Sequence, residues 1–282
     1  MSTATVIDAK LVKTLREKTD AGLMDCKKAL AETNGDLEAA VDVLRKKGTI
    51  KAGEKSDREA KEGVIAQAIL PGAKVGVLVE VNCETDFVAK NDSFKVFTDE
   101  LAKKIALDPR ADLEADRIEA FQKLKENLVI RRSERIEVTG PGAVAAYIHT
   151  GGKVGVLVEV GATQEENSTT EDFKQLVRDI TLQIAAANPI SVDRTSVPAA
   201  TIERERAIYK DQVPPGKPAN IVEKIIDGKM DKFFSSVCLV DQAFIKNPDQ
   251  TLTQLIAEKS KALGDTLSIR RFIRYSVGEA IA

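Results

Sequence analysis

The amino-acid sequence predicts an α+β protein: an N-terminal three-helix bundle, then two repeated β-hairpin/helix/strand subdomains, the second carrying an inserted antiparallel helical hairpin. Three observations support this class. Short helical patterns fill the first 50 residues, an eight-residue sequence occurs twice, and the second occurrence is followed by about 60 additional residues before its repeat closes. The repeat carries most weight, because it defines an architecture before any single element is assigned.

The N-terminal segment contains three short helical patterns, over residues 8–18, 22–33 and 36–47. Asp36 follows an Asn-Gly pair, and its carboxylate is suited to cap the third helix by accepting a backbone N–H. We predict a three-helix domain over residues 1–50. Because the next stretch is rich in Lys and Glu, we predict a charged linker over residues 51–61.

The repeat consists of residues 74–81, which recur letter for letter as residues 153–160, at an offset of 79 positions. A similar apolar stretch precedes each copy, and a turn that contains Gly separates the two stretches. Two such strands joined by a short Gly turn predict a β-hairpin. We place the first core subdomain at residues 62–140 and the second at residues 141–282.

A helical pattern follows each hairpin and begins near an Asp-Phe pair, Asp86-Phe87 in the first copy and Asp172-Phe173 in the second. A Leu-x-Ile-Arg-Arg sequence then marks the last strand of each copy, at residues 128–132 and 267–271, with an offset of 139 positions. Since this offset exceeds the first by 60, the second copy contains about 60 extra residues between its helix and its last strand.

The extra residues, at about 195–235, have a helical pattern of their own. Residues 202–213 and 221–234 are helical in pattern, and the Pro-rich stretch 214–218 must interrupt them. We predict an antiparallel helical hairpin that projects from the body, followed by a C-terminal helix and strand. The alternative is that the two helices pack back onto the body as ordinary core.

Composition and charge exclude several classes of function. Lys and Arg number 42 against 44 Asp and Glu, and no clustered basic excess suggests a direct nucleic-acid partner. No apolar run approaches the ~18–20 residues needed to cross a bilayer, and the N-terminus has no secretory pattern. Three widely spaced cysteines fit a reducing compartment. We therefore expect a cytoplasmic protein without a membrane partner.

The sequence contains no recognisable catalytic constellation. It has one histidine, His149, and neither of the common Gly-rich phosphate-binding motifs. We therefore expect no catalytic residue, no bound metal and no cofactor, and we interpret the chain as a binding protein rather than an enzyme. The rival interpretation, an enzyme, would depend on Cys83 or His149.

The most distinctive local feature is the stretch 82–90, where a predicted strand ends and a helix begins. In one interpretation, Thr85 caps the helix and Phe87 packs into the core. In the other, a loop presents Phe87 and Asp86 at the surface, as is typical of a binding hot spot. The residues alone leave both open. The stretch before Asp172-Phe173 is expected to be longer and has no aromatic residue, so we expect such a wedge only in the first copy.

Three motifs resemble the elongation factor Ts family. The sequence Thr85-Asp86-Phe87-Val88 resembles its Thr-Asp-Phe signature, residues 12–30 resemble its opening motif, and residues 224–234 resemble a third stretch of the family. The motifs occur in the family's order, and the resemblance covers nearly all 282 residues. It implies an N-terminal bundle of the ubiquitin-associated type and, in the second subdomain, a projecting antiparallel coiled coil.

The resemblance also implies a function: guanine-nucleotide exchange on elongation factor Tu, which would be bound in its GDP-bound and nucleotide-free forms. Phe87 would act as a wedge near the partner's magnesium site, with Asp86 beside it. Thr85 and Val88 would hold the loop that presents them.

Further partner contacts are implied for Arg16, Leu23 and Met24 in the N-terminal bundle. His149 matches a family position near the second half of the interface, and an ordinary surface histidine is the alternative. The coiled coil serves dimerisation in some members, and a homodimer is left open. A rival interpretation is an adaptor unrelated to translation, in which residues 1–50 bind alone and Phe87 is dispensable.

Overall fold

A computed structural model of the chain describes residues 8–19, 21–44, 46 and 59–281. The chain divides into two compact units. The first combines the described part of Met1–Ala60 with Asp112–Val129, and the second combines Lys61–Ala111 with the described part of Ile130–Ala282. Most of the predicted linker, 51–61, lies outside the described residues.

The first unit contains the predicted N-terminal helices: α1 (Ala9–Thr19), α2 (Leu23–Glu32) and a third helix, α3, described over residues 37–44. Asp36 caps α3, since its Oδ1 accepts hydrogen bonds from the backbone N–H groups of Glu38 and Ala39 at 2.9 and 3.0 Å. The buried core of these helices is apolar: Val12, Leu15, Cys26, Ala29, Leu30, Ala40 and Leu44. Helix α6 (Glu114–Leu124) also belongs to this unit.

The second unit contains the two predicted hairpins. Strands β1 (Glu62–Ile69) and β2 (Val75–Cys83) pair antiparallel, as do β4 (Gly142–Ile148) and β5 (Val154–Gly161). Their registers match at the offset of 79, because Val64 faces Val81 and Ala143 faces Val160. A third strand completes each sheet: β3 (Val129–Glu137) lies beside β2, and β8 (Ser268–Ser276) lies beside β5. The predicted fold class is confirmed.

The helix that covers each hairpin is α5 (Asp92–Leu107) in the first repeat and α7 (Glu171–Ala187) in the second. Their buried faces are equivalent at the offset of 79: Phe94 with Phe173, Phe97 with Leu176, Leu101 with Ile180, and Ile105 with Ile184.

This equivalence corrects the alignment of the two Asp-Phe pairs. Phe173 is fully buried and corresponds to Phe94, whereas Phe87 lies in a separate short helix, α4 (Asp86–Lys90), and is 81% exposed. The prediction that the second loop is longer is therefore wrong: since the offset of 79 persists through both helices, residues 163–169 have the same length as residues 84–90. We call 84–90 the first loop and 163–169 the second loop.

The two repeats contact each other through equivalent pairs of interactions. Ile65 N donates to Gly152 O at 2.7 Å, and its counterpart Val144 N donates to Ala73 O at 2.8 Å. A shared apolar layer lies between the sheets: Ile65, Leu78, Ile136, Val138, Val144 and Leu157. Gly76 permits this packing, because an added Cβ would lie only 2.7 Å from Leu157 Cδ1. The repeats are thus related by a local pseudo-twofold arrangement.

Each central strand also carries a buried glutamate paired with two arginines of the third strand. Glu80 accepts hydrogen bonds from Arg131 Nη1 and Arg132 Nε at 2.9 and 2.7 Å. Glu159 accepts equivalent bonds from Arg270 Nη1 and Arg271 Nε at 3.0 and 2.8 Å. The Arg-Arg pair recurs in both repeats because each buried carboxylate needs nearby cations to offset the free-energy cost of burying its charge.

The extra residues of the second repeat form the predicted helical hairpin, α8 (Ala199–Asp211) and α9 (Ala219–Val237). Arg206 on α8 forms ion pairs with Glu223 and Asp227 on α9, at 2.6 and 3.2 Å. No residue of α8 is buried, which favours the projecting arrangement over ordinary core.

A two-stranded hairpin, β6 (Ala243–Phe244) with β7 (Asn247–Thr251), follows the helical hairpin and precedes α10 (Leu252–Leu263). The sequence does not predict this small sheet, because its strands are too short to show alternation. Helix α10 ends 139 positions after α6, so the extra residues lie before it.

Candidate partner-binding loop

The first loop connects the central strand of the first repeat to its covering helix. Thr85 has an extended backbone and caps α4, since its Oγ1 accepts a hydrogen bond from Val88 N at 3.3 Å. Ala89 is buried and anchors the turn, and Asn91 then caps α5 through Ser93 N at 2.8 Å. A five-residue helix is too short to persist alone, so these caps and this anchor hold it in place.

Phe87 lies outside the core, at the outer side of this turn. It is 81% exposed, the largest exposed fraction among the large apolar side chains of the described residues. Leaving a phenylalanine in water forgoes about 1.5–3 kcal/mol of burial free energy. Thr85 therefore caps the helix as the first interpretation expected, while Phe87 lies at the surface as the second expected. A rigidly held exposed aromatic is suited to insert into a partner.

Asp86 lies next to Phe87 and forms an ion pair with Lys90, whose Nζ is 2.7 Å from Asp86 Oδ2. The hydrogen bond from Lys90 holds the pKa of Asp86 below its ordinary value, and the charge of Lys153 adds to this effect. Asp86 is therefore an anion at neutral pH. Beneath the turn, the buried Cys83 Sγ donates to Thr85 O at 3.2 Å, so the thiol serves the loop backbone.

The second loop occupies the equivalent place in the second repeat but has a different surface. Glu166 stands at the position of Phe87 and begins a short 3₁₀ helix, Glu166–Thr169. Asp265 fastens this loop to the body, accepting from Thr163 N at 2.8 Å and from Asn167 Nδ2 at 3.0 Å. The second loop therefore presents no apolar side chain and is tied down by the carboxylate of Asp265.

The other predicted contact residues are exposed, each within its own unit. In the first unit Arg16 is exposed, and Leu23 and Met24 are 55% and 61% exposed at the start of α2. In the second unit, His149 is exposed just after β4, with its Nδ1 3.0 Å from Tyr147 Oη.

Two residues of the first-loop region were not assigned a role from sequence. Lys90 could have been found from its spacing, because residues four apart on a helix are neighbours and Asp–Lys pairs at that spacing attract. Lys153 could have been found from the repeat, because it is the counterpart of Lys74 at the offset of 79. Its ammonium group pairs with Glu62 and donates to Gly63 O.

Two further features are absent from the described residues. No group of three or more His, Cys, Asp or Glu side chains within this part of the chain is arranged to hold a metal ion. No helix in the same residues has the length and apolar content needed to cross a membrane.

Comparison with known proteins identifies the family. The family model described as Elongation factor TS matches residues 84–279, a range that begins at the first loop. The chain belongs to the elongation factor Ts family. It is 42% identical over 293 residues to elongation factor Ts of Clostridium novyi (strain NT), with 98% of this chain and 94% of that protein covered.

Other members of the family show similar levels of identity. The elongation factor Ts of Clostridium botulinum (strain Alaska E43 / Type E3) is 44% identical, and that of a Nitratiruptor species is 43% identical. Each alignment covers 98% of this chain and 94% of the relative. The resemblance drawn from the three motifs is confirmed.

Proposed function

We propose that this chain is a guanine-nucleotide exchange factor that binds elongation factor Tu carrying GDP and promotes GDP release, so that GTP can bind during translation elongation. Membership of the family supports the partner and the pathway. The observation that carries the mechanism is Phe87: an apolar side chain held outside the core, on a turn fixed by the Thr85 cap and the buried Ala89.

The proposed chemistry is the weakening of a nucleotide site rather than a reaction. In a nucleotide-binding GTPase, magnesium bridges protein groups and the phosphates, and its surroundings supply much of the electrostatic hold on the nucleotide. Phe87 would wedge between elements near that site, and the anionic Asp86 would lie where negative charge opposes the phosphate arrangement. Thr85 and Val88 would hold the loop in the shape that enters.

Thermodynamic linkage explains how binding promotes release. If the chain binds nucleotide-free elongation factor Tu more tightly than the GDP form, GDP must bind the complex more weakly by the same factor. The exchange factor therefore needs no covalent step. It is released when GTP rebinds, and one molecule can serve many partners.

The remaining predicted residues fit secondary contacts in this proposal. Arg16, Leu23 and Met24 would dock the N-terminal bundle on the partner, and His149 would contribute a second contact from the end of β4. The exposed apolar pair at the start of α2 supports this docking, because exposed Leu and Met side chains adapt well to a partner surface. We expect the chain to act in the cytoplasm and to exchange nucleotide on its partner without direct contact to nucleic acid. The helical hairpin would form a coiled coil.

The decisive experiment measures release of fluorescent GDP from purified elongation factor Tu, with excess unlabelled GDP and substoichiometric amounts of this chain. Multiple-turnover acceleration is expected. No acceleration by a folded sample would refute the exchange-factor proposal and would favour an adaptor, in which residues 1–50 bind a partner alone.

The single substitution Phe87→Ala tests the wedge. Because hot-spot aromatics are worth about 2–4 kcal/mol, kcat/KM for exchange should fall at least about 30-fold. The thermal midpoint should not change, since the side chain is exposed. Leu107→Ala is the matched control: Leu107 is 73% exposed at the end of α5, and its truncation should leave both exchange and stability unchanged.

A further inference from the structure

Lys74 and Lys153 are equivalent residues of the two repeats, and each reaches across to the other repeat. Lys74 Nζ donates to Gly142 O at 2.9 Å, and Lys153 Nζ donates to Gly63 O at 3.1 Å. Their backbone carbonyls also accept equivalent bonds, from Val138 N and Val277 N. The two lysines therefore make the same structural contribution to the packing of the repeats.

Lys74, which reaches across from the first repeat, also contacts the second loop. Lys74 forms an ion pair with Glu165, which lies in the second loop immediately before the 3₁₀ helix. Glu165 is the counterpart of Asp86 at the offset of 79. In the first repeat the counterpart lysine, Lys153, pairs instead with Glu62, which faces Cys83 just before the first loop.

The first repeat has two additional charges at this place. Glu62, which pairs with Lys153, stands where the second repeat has Pro141, and Lys90, which pairs with Asp86, stands where it has Thr169. The two ion pairs interact with each other. The pKa of Asp86 is lowered mainly by the hydrogen bond from Lys90, and the charge of Lys153 lowers it further. The pKa of Lys90 is raised mainly by Asp86, and the charge of Glu62 raises it further.

We propose that Lys153, a residue of the repeat without the wedge, is a positioning residue for the first loop: its ammonium group, held beside the loop by Glu62 and Gly63 O, acts by its charge on Asp86, the counterpart of the Glu165 that pairs with Lys74. The proposal rests on the exchange function proposed above. Lys153 adds to the compensation of the Asp86 charge that Lys90 provides within the helix, and so stabilises the turn that presents Phe87. A loop that is already ordered loses less conformational entropy when it binds, so it binds more tightly.

The test compares Lys153→Met with Lys74→Met in the full chain. Both variants lose a hydrogen bond between the repeats, so their thermal midpoints should fall by similar amounts. Only Lys153→Met should impair exchange, with kcat/KM for release of fluorescent GDP reduced about two- to fivefold, as expected for a partly screened ion pair. Lys153→Arg should retain exchange because it keeps the charge.

A double-mutant cycle separates an effect through Asp86 from a general loss of packing. In the Asp86→Asn background, Lys153→Met should reduce exchange no further than Lys74→Met does, because the charge it acts on is gone. Equal effects of the two lysine variants on exchange in the unmodified background, or an undiminished effect of Lys153→Met in the Asp86→Asn background, would overturn the proposal. An unmodified chain without exchange activity would instead refute the proposed function itself.

Discussion

The first and second repeats share one framework; apart from the helical hairpin and small sheet inserted into the second, they differ most in one loop. Their hairpins share a register, their helices bury equivalent faces, and each carries a buried glutamate clamped by two arginines. The first loop presents Phe87 to solvent, whereas the second loop has Glu166 at that position and is fastened by Asp265. Both copies therefore keep the same packing, but of the two loops only the first presents an apolar side chain that could enter a partner.

The largest expected effect tests whether the framework is equivalent in the two copies. Glu80→Ala leaves Arg131 and Arg132 without their buried partner, and Glu159→Ala does the same to Arg270 and Arg271. Removing one side of a buried charge pair costs about 3–5 kcal/mol. Chemical denaturation should therefore show a large and similar loss of unfolding free energy for both variants. A loss in only one of them would break the equivalence of the repeats.

Glu80 also predicts a pH dependence. Burial alone would raise its pKa, but hydrogen bonds from Gly278 N, Arg131 and Arg132 outweigh burial and hold the pKa below the ordinary value of 4.5. Because the folded-state pKa is lowered, this stabilisation is present above the unfolded-state pKa and is lost as the pH falls through the folded-state value. Unfolding free energies from pH 7 to pH 3 should fall more steeply for the unmodified chain than for Glu80→Gln.

A smaller effect is expected at the second loop. Asp265→Ala removes the acceptor for Thr163 N, Gln164 N and Asn167 Nδ2. Loss of these partly exposed hydrogen bonds should cost about 1–2 kcal/mol and speed amide hydrogen exchange at residues 163–169. Nucleotide exchange should be unchanged, since the second loop carries no wedge. Slower nucleotide exchange in this variant would show that the second loop also contacts the partner.

Much of this framework could be predicted from sequence because it repeats. The identity of residues 74–81 with 153–160 was enough to predict both hairpins, and the offset of 139 located the extra residues. The alignment of Phe87 with Phe173 was wrong because both phenylalanines follow Asp at the start of a helical pattern. Following the offset of 79 into the helices would have paired Phe173 with Phe94, which is the buried residue.

The candidate site was less accessible to prediction. A Thr cap before a helix has the same sequence pattern whether the next aromatic is buried or exposed, so the exposure of Phe87 depended on where α4 ends and α5 begins. The hydrogen-bond partners of Glu80 could not be predicted from sequence either. The Arg-Arg pair is visible in both copies, but only the sheet order, which places β3 beside β2, brings it to the carboxylate.

The smallest expected effect is that of Lys90→Ala, which removes the helical partner of Asp86 without touching Phe87. Exposed ion pairs of this kind contribute about 0.2–1 kcal/mol, so kcat/KM should fall about two- to fivefold, at least as much as Lys153→Met causes. Combined with Lys153→Met, the loss should exceed the product of the single effects, because Asp86 then has neither cation. If the double variant lost only the product of the two single effects on GDP release, the two lysines would act independently. The second repeat would then contribute to the wedge only through packing.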